Sequence, residues 1–185
     1  MQDHNLWLLD EKLAYHEFLA SDKQLRTMPP LNNESQKEPD IIVFDKACAF
    51  VAATDPPFPA VVIVEFKRPM RDDYTDEKNP FSQVLEYVTE IRGGTARRPD
   101  GRDAPVLDGV PFHCYIVCDP SATLDRQAGL CNLDKTPDGQ GYFGYMKTYN
   151  AYIEVLSYTK VVTDAKQRNA VLFDKLGLPS RIGGI

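Results

Sequence analysis

The sequence predicts an α/β domain, on three observations. Two apolar runs, Ile41-Ile42-Val43-Phe44 and Val61-Val62-Ile63-Val64, read as buried strands; the segments around them repeat with helical spacing; and turn-forming residues separate the pieces. The chain has 185 residues, enough for one domain with a sizeable core and too few for two comfortable ones.

From Asn5 to Ala20, the residues Leu6, Leu9, Leu13, Tyr15, Phe18 and Leu19 recur mostly at three- and four-residue steps, which predicts an amphipathic helix. This helix starts almost at the first residue, which fits either a very compact protein or a module of a longer one. Ser21 to Glu38 is polar, carries Pro29-Pro30, and reads as a loop with room for one short strand. Three prolines within Thr54-Asp55-Pro56-Pro57-Phe58-Pro59 mark the connection between the apolar runs, which therefore predict an antiparallel hairpin. Asn79-Pro80 supplies a cap and a first helical position for a helix through Ile91, closed by Gly93-Gly94. A flexible basic loop, Thr95 to Gly109, leads to a strand from Phe112 to Cys118. Gly141 to Tyr158 is rich in aromatic and β-branched residues, has Tyr149-Asn150 near its middle, and predicts a second hairpin. Lys160 to Leu176 predicts a last helix, ended by Gly177 and Pro179.

Composition narrows the function classes. A net charge of −6 argues against broad, non-specific adhesion to nucleic acid and leaves room for a local basic patch. The cysteines Cys48, Cys114, Cys118 and Cys131 form no CxxC pair, and the chain has neither a signal peptide nor a run of about 18 apolar residues. Those features predict a reduced, soluble, cytoplasmic protein without a membrane partner. Cys114 and Cys118 share a strand face and read as core packing rather than zinc ligands. His4, His16 and His113 make no HxH or HExxH pattern, and no GxxxxGK[ST] is present. Any nucleotide hydrolysis would thus come from a partner ATPase or another domain.

Chemistry concentrates at the ends of the two apolar runs. Pro39-Asp40 opens the first, and the second ends in Glu65-Phe66-Lys67. A charge at the end of a continuous Val/Ile run is unusual, because such a run reads as a strand buried on both faces. Residues i and i+2 share a strand face, so Glu65 and Lys67 point together while Phe66 points into the opposite layer. If the two runs pair, Asp40 joins them at one edge of the sheet. Two carboxylates and an ammonium are the composition of a divalent-metal site with a water-activating lysine. The plainer alternative is a surface ion pair at a strand end.

Pro39-Asp40, Glu65-Phe66-Lys67 and a following helix carrying Gln83 resemble the motif of the PD-(D/E)XK nuclease superfamily, a resemblance covering about residues 5–119. It implies a restriction-endonuclease-like core of helix, three-strand meander, helix and strand, here followed by an added C-terminal hairpin and helix over 120–185, all in one nuclease-like domain. Leu9-Asp10-Glu11-Lys12-Leu13, with Phe18-Leu19 downstream, is similar to the opening helix of the Shedu-type branch, which is associated with bacterial anti-phage defence. The resemblance implies a magnesium-dependent DNA endonuclease, with Mn2+ able to substitute, acting as the effector of a prokaryotic defence or restriction system. Its implied metal ligands are Asp40, Glu65, the backbone carbonyl of Phe66 and, as an added candidate, Glu11. Asp40, Glu65, Lys67 and Gln83 are the implied catalytic set.

Several of these residues have a second reading. Gln83 is either an exposed helical residue or a positioning group near Lys67. Glu11 faces solvent or reaches the metal, and Tyr87, one turn after Gln83, reads equally well as packing. Arg92, Arg97, Arg98 and Arg102, with Arg68 and Arg71 beside Lys67, form either a phosphate grip or a solvated mobile surface. The alternative for the whole chain is a non-cleaving nucleic-acid-binding or assembly module of the same fold. A homo-oligomer and a sensor partner are compatible with both.

Overall fold

The apolar runs pair as their spacing predicts. In the computed structural model, which describes residues 16–45, 59–97, 102–105, 109–175 and 177, β3 (Ile41–Asp45) lies antiparallel to β4 (Val61–Phe66), with Ile41 opposite Val64 and Phe44 opposite Val61. On the far side of β3 runs β1 (His16–Ser21), also antiparallel, so β1, β3 and β4 form a meander. The helix predicted over Asn5–Ala20 is therefore corrected at its C-terminal end; its part before His16 falls outside the described residues. Phe18 packs into one core and Leu19 into another, and this two-sided burial is that of a strand. A short continuous apolar stretch cannot be told from a helix turn by periodicity alone.

After β4 the chain turns through α1 (Pro80–Gly93) and returns in β7 (Phe112–Val117), parallel to β4. The predicted cap is in place: the Asn79 carboxamide oxygen accepts the Ser82 N–H at 2.9 Å, and Pro80 occupies the first turn, where its missing donor costs nothing. Phe81, Val84, Val88 and Ile91 face inward at three- and four-residue steps. Between α1 and β7 the expected flexible loop is partly sheet, since β5 (Thr95–Arg97) pairs with β6 (Asp103–Pro105) and with β2 (Leu31–Asn32) in a small antiparallel sheet.

A helix missing from the sequence reading, α2 (Ala122–Leu130), follows β7, with Ser121 as its cap. Then come β8 (Asp134–Lys135), β9 (Gly141–Met146), β10 (Ala151–Leu156) and α3 (Tyr158–Lys175). The predicted second hairpin is β9–β10, with Asn150 in the left-handed conformation at its turn. Gly141 allows the strands to approach closely: a Cβ there would lie 2.0 Å from the Val155 carbonyl oxygen. Past α3, Gly177 has φ of 64°, the conformation of a helix-ending glycine.

The main sheet runs β1-β3-β4-β7-β10-β9-β8, with β4, β7 and β10 parallel and antiparallel strands on both flanks. Its faces are covered separately. Val61 and Ile63 of β4 share one core with Phe81, Val84, Leu124 and Ala128 from α1 and α2. Val62 and Val64 share the other with Val161 of α3, against which Phe66 and Tyr158 also pack. Cys114 and Cys118 sit in the first core. Among the described residues no helix is long and apolar enough to cross a membrane.

Asn79 also donates through its amide nitrogen to the Asp76 carbonyl and the Ser82 hydroxyl. Replacing Asn79 by Ala is expected to cost about 1–2 kcal/mol, read as a lower urea midpoint at unchanged slope.

Candidate active site

The alternation that sends Val61 and Ile63 toward α1 carries Glu65 and Lys67 to the same side, at the carboxyl end of β4. Because Ile41 pairs with Val64, the residue before it, Asp40, stands beside Glu65. Asp40 Oδ2 accepts the Phe66 N–H at 2.6 Å, extending the strand pairing by a side chain where the backbone ladder stops. In an extended strand a residue's N–H and C=O leave on the same side, so the Phe66 carbonyl also faces Asp40. Asp40, Glu65 and Lys67 thus converge at the carboxyl end of an interior strand of the sheet.

Gln83 joins them from the first turn of α1. Lys67 Nζ donates to Glu65 Oε1 at 2.7 Å and to Gln83 Oε1 at 2.5 Å, while Gln83 Nε2 donates to Glu65 Oε1 at 2.8 Å. The three side chains close a ring. Gln83 is therefore not a plain exposed helical residue: its carbonyl faces the cation and its amide the anion. The second amide hydrogen goes to the Tyr87 hydroxyl at 2.6 Å, which donates in turn to the Glu38 carbonyl at 3.1 Å. Tyr87 was legible only as packing, yet one helical turn is the spacing that lets it fix the Gln83 rotamer. Tyr158, also missed, donates to the Lys67 carbonyl at 2.7 Å, while the Lys67 N–H reaches the Val117 carbonyl at 2.9 Å. No local signal marks Tyr158, because its partner lies 91 residues away.

Burial sets the electrostatics. Glu65 is 4% exposed and Lys67 is 7% exposed. Desolvation pushes the Glu65 carboxyl above its ordinary value, against the hydrogen bond and charge of Lys67, and the nearby Asp40 charge pushes the same way as burial. Burial likewise drives the Tyr87 hydroxyl up to about 12, so it remains a donor at neutral pH. Glu65 Oε2 is buried with no hydrogen-bond partner among the described residues. An orphaned carboxylate oxygen near a second carboxylate, Asp40, supplies hard oxygen ligands that suit a divalent cation completed by water. Among the described residues no group of three or more His, Cys, Asp or Glu gathers to hold a metal ion. Glu11 lies outside them. Beside the ring opens a cleft of about 440 Å³, lined by Lys67, Gln83, Arg71, Tyr74, Lys78 and Asn79 among others.

The arginines divide. Arg68 is exposed just past Lys67, and Arg71 stacks over Tyr74 at 5.2 Å while donating to Asp73 at 2.5 Å. Arg92 lies elsewhere: it donates to the Val110 carbonyl at 3.2 Å and stacks over Phe112 at 5.1 Å. Phe112 pairs with Val61, at the opposite end of β4 from Glu65, about 13 Å away along the strand. Arg97 belongs to β5 and Arg102 precedes β6, so they belong to the small sheet rather than to a loop beside the ring; Arg98 is outside the described residues. No family model matches the chain, nor does any curated protein or solved structure.

The raised Glu65 value has a directional consequence for stability. A group whose folded value exceeds its unfolded one contributes stability below the unfolded value, near 4.5, and loses it as pH rises through the folded value. Glu65→Gln removes that titration. The unfolding free energy of the variant minus that of wild type is expected to increase as pH rises from about 4.5 and to level off above the folded value of Glu65, measured by urea unfolding across pH.

Proposed function

We propose that this chain is a magnesium-dependent deoxyribonuclease of the PD-(D/E)XK type, with Mn2+ able to substitute, serving as the cutting part of a prokaryotic defence or restriction system. The observation that carries the reading is the convergence of Asp40, Glu65 and Lys67 at one strand end, with Glu65 Oε2 buried and without a hydrogen-bond partner among the described residues. Meander, helix and parallel strand follow one another as β1-β3-β4, α1 and β7, an order that supports a restriction-endonuclease-like core. The opening helix of that core would fall on residues outside the described ones.

In this reading Asp40, Glu65 Oε2 and the Phe66 carbonyl hold the cation. When bound, it polarises the phosphoryl oxygen and lowers the pKa of a coordinated water. Lys67 has three N–H donors, of which Glu65 and Gln83 take two. The third is left to orient the attacking water or to offset charge developing on the phosphate. Gln83, held by Tyr87, keeps the ammonium in place, and the scissile phosphate enters from the cleft beside it.

Purified protein is expected to nick or cut linear or circular DNA with Mg2+ or Mn2+, and Glu65→Ala is expected to abolish this. Mg2+ should raise the melting temperature of wild type but not of Glu65→Gln, a readout independent of cutting. Cleavage that persists in EDTA or survives Glu65→Ala would defeat the metal mechanism. Duplex binding without cutting, and without a Mg2+-dependent melting shift, would favour the non-cleaving module.

The arginine geometry yields a separate expectation. Arg68→Ala should lower the log–log salt slope of duplex binding by about 0.9, one phosphate contact. Arg92→Ala should leave that slope unchanged and cost stability instead, because its guanidinium is spent on Val110 and Phe112. Fluorescence anisotropy across salt concentrations, with urea unfolding, separates the two.

A further inference from the structure

Directly after Lys67 the chain makes a tight turn, Arg68-Pro69-Met70-Arg71, closed by the Arg71 N–H on the Arg68 carbonyl at 3.3 Å. Pro69 takes the second position and Met70 the third, with φ of 59°. That is the pattern of a type II turn, whose third position ordinarily takes glycine because a Cβ is strained there. Met70 is also 85% exposed, more than any other large hydrophobic residue among those described. The position thus carries two unfavourable features, backbone strain and an apolar side chain in water, and glycine would remove both. Strain of this kind, held in place by its surroundings, is characteristic of ligand-contacting sites.

The surroundings hold it firmly. Asp119 Oδ2 accepts the Met70 N–H at 2.9 Å, tying the turn to the chain just beyond β7. The acidic residues that follow are engaged elsewhere: Asp72 with Ser121 and Thr123, Asp73 with Arg71, and Asp76 with Arg126 and Gln127. The tip itself therefore presents an apolar side chain next to the exposed Arg68. Met70 is three residues past Lys67, so their Cα atoms lie at most about 10 Å apart, within the span of one duplex whose phosphate sits at Lys67.

We propose that this turn is the duplex-DNA contact of the chain, with Met70 inserted as an apolar wedge at a base step next to the scissile phosphate and Arg68 on the flanking backbone. Apolar wedges of this type, Met among them, partly unstack base steps from the minor groove and kink the duplex. The proposal rests on the nuclease reading and adds the form of the substrate: a duplex that is locally unstacked, rather than a single strand with no base step to open.

The test uses the full chain, with Ca2+ replacing Mg2+ to hold back cutting, and a short duplex carrying 2-aminopurine, alongside its single strand. Wild type is expected to raise the 2-aminopurine fluorescence of the duplex. Met70→Ala should lose that rise and bind the duplex about tenfold more weakly, with single-strand affinity unchanged. Met70→Gly should show the same loss while its melting temperature is no lower than that of wild type, since glycine accepts the positive φ; this separates lost contact from lost folding. Unchanged duplex affinity and fluorescence in both variants, with wild type binding and cutting DNA, would overturn the wedge and leave the nuclease reading standing. So would a change in sedimentation with DNA affinity intact, which would assign Met70 to a protein contact. Failure of wild type to bind any DNA would overturn both.

Discussion

Glu65 and Lys67 sit 2.7 Å apart and almost wholly buried at the end of a strand whose other residues are apolar. Taking a carboxylate and an ammonium out of water costs several kcal/mol per ion, and their attraction offsets this only when the remaining donors and acceptors are satisfied. Most of the surrounding architecture serves that requirement. Gln83 bridges both charges, Tyr87 fixes the bridge, and the Glu38 carbonyl fixes Tyr87. These groups come from β4, from α1 and from the segment leading into β3, so the pair ties three elements to a common geometry. What the network omits is as informative: among the described residues, nothing donates to Glu65 Oε2. The metal reading rests on that unpartnered carboxylate oxygen; the Tyr74 hydroxyl, on the adjoining cleft, is also buried without a partner among the described residues.

The topology explains why the two carboxylates meet where they do. An antiparallel partner enters β4 from its carboxyl end, so the residue that opens β3 is adjacent to the residue that closes β4. Asp40 and Glu65 are far apart in sequence and neighbours in space for that reason alone. On the other flank β7 runs parallel, which sends the connecting chain through α1 across one face and delivers Gln83 from the helix's first turn. Crevices outside the carboxyl ends of parallel strands are the usual place for ligands in such sheets, and the cleft beside Lys67 conforms.

The parts legible in the sequence were those where one signal dominated. Continuous Val/Ile runs, a Pro-rich connection and an Asn-Pro cap fixed β3, β4 and α1, and the i, i+2 rule put Glu65 and Lys67 on one face. His16–Ala20 reads as helix because Phe18-Leu19-Ala20 satisfies helical spacing as well as two-sided strand burial, and pairing with β3 decides the matter. α2 was missed although Ser121, Leu124 and Ala128 carry a cap and a helical step. Arg92 could have been separated from the site by arithmetic. Nine residues after Gln83, at about 100° and 1.5 Å per residue, it lies on the opposite side of the helix and about 13 Å along it. Sequence neighbourhood of basic residues was the weaker guide.

The C-terminal part, which reads in the sequence as an appendage, is built into the site. β10 extends the parallel core beside β7, Tyr158 at the start of α3 holds the Lys67 carbonyl, and α2 with its cap holds Asp72 and Asp76. The segment from Lys67 to Asn79 thus has one side set by β4 and α1 and the other by elements that follow β7. Lys67 is fixed in both backbone and side chain, by Val117 and Tyr158 on one hand and Glu65 and Gln83 on the other. An ammonium so constrained gains little from flexibility and loses little entropy on meeting a ligand, which is the condition under which a single lysine can act on a phosphate by position as well as charge.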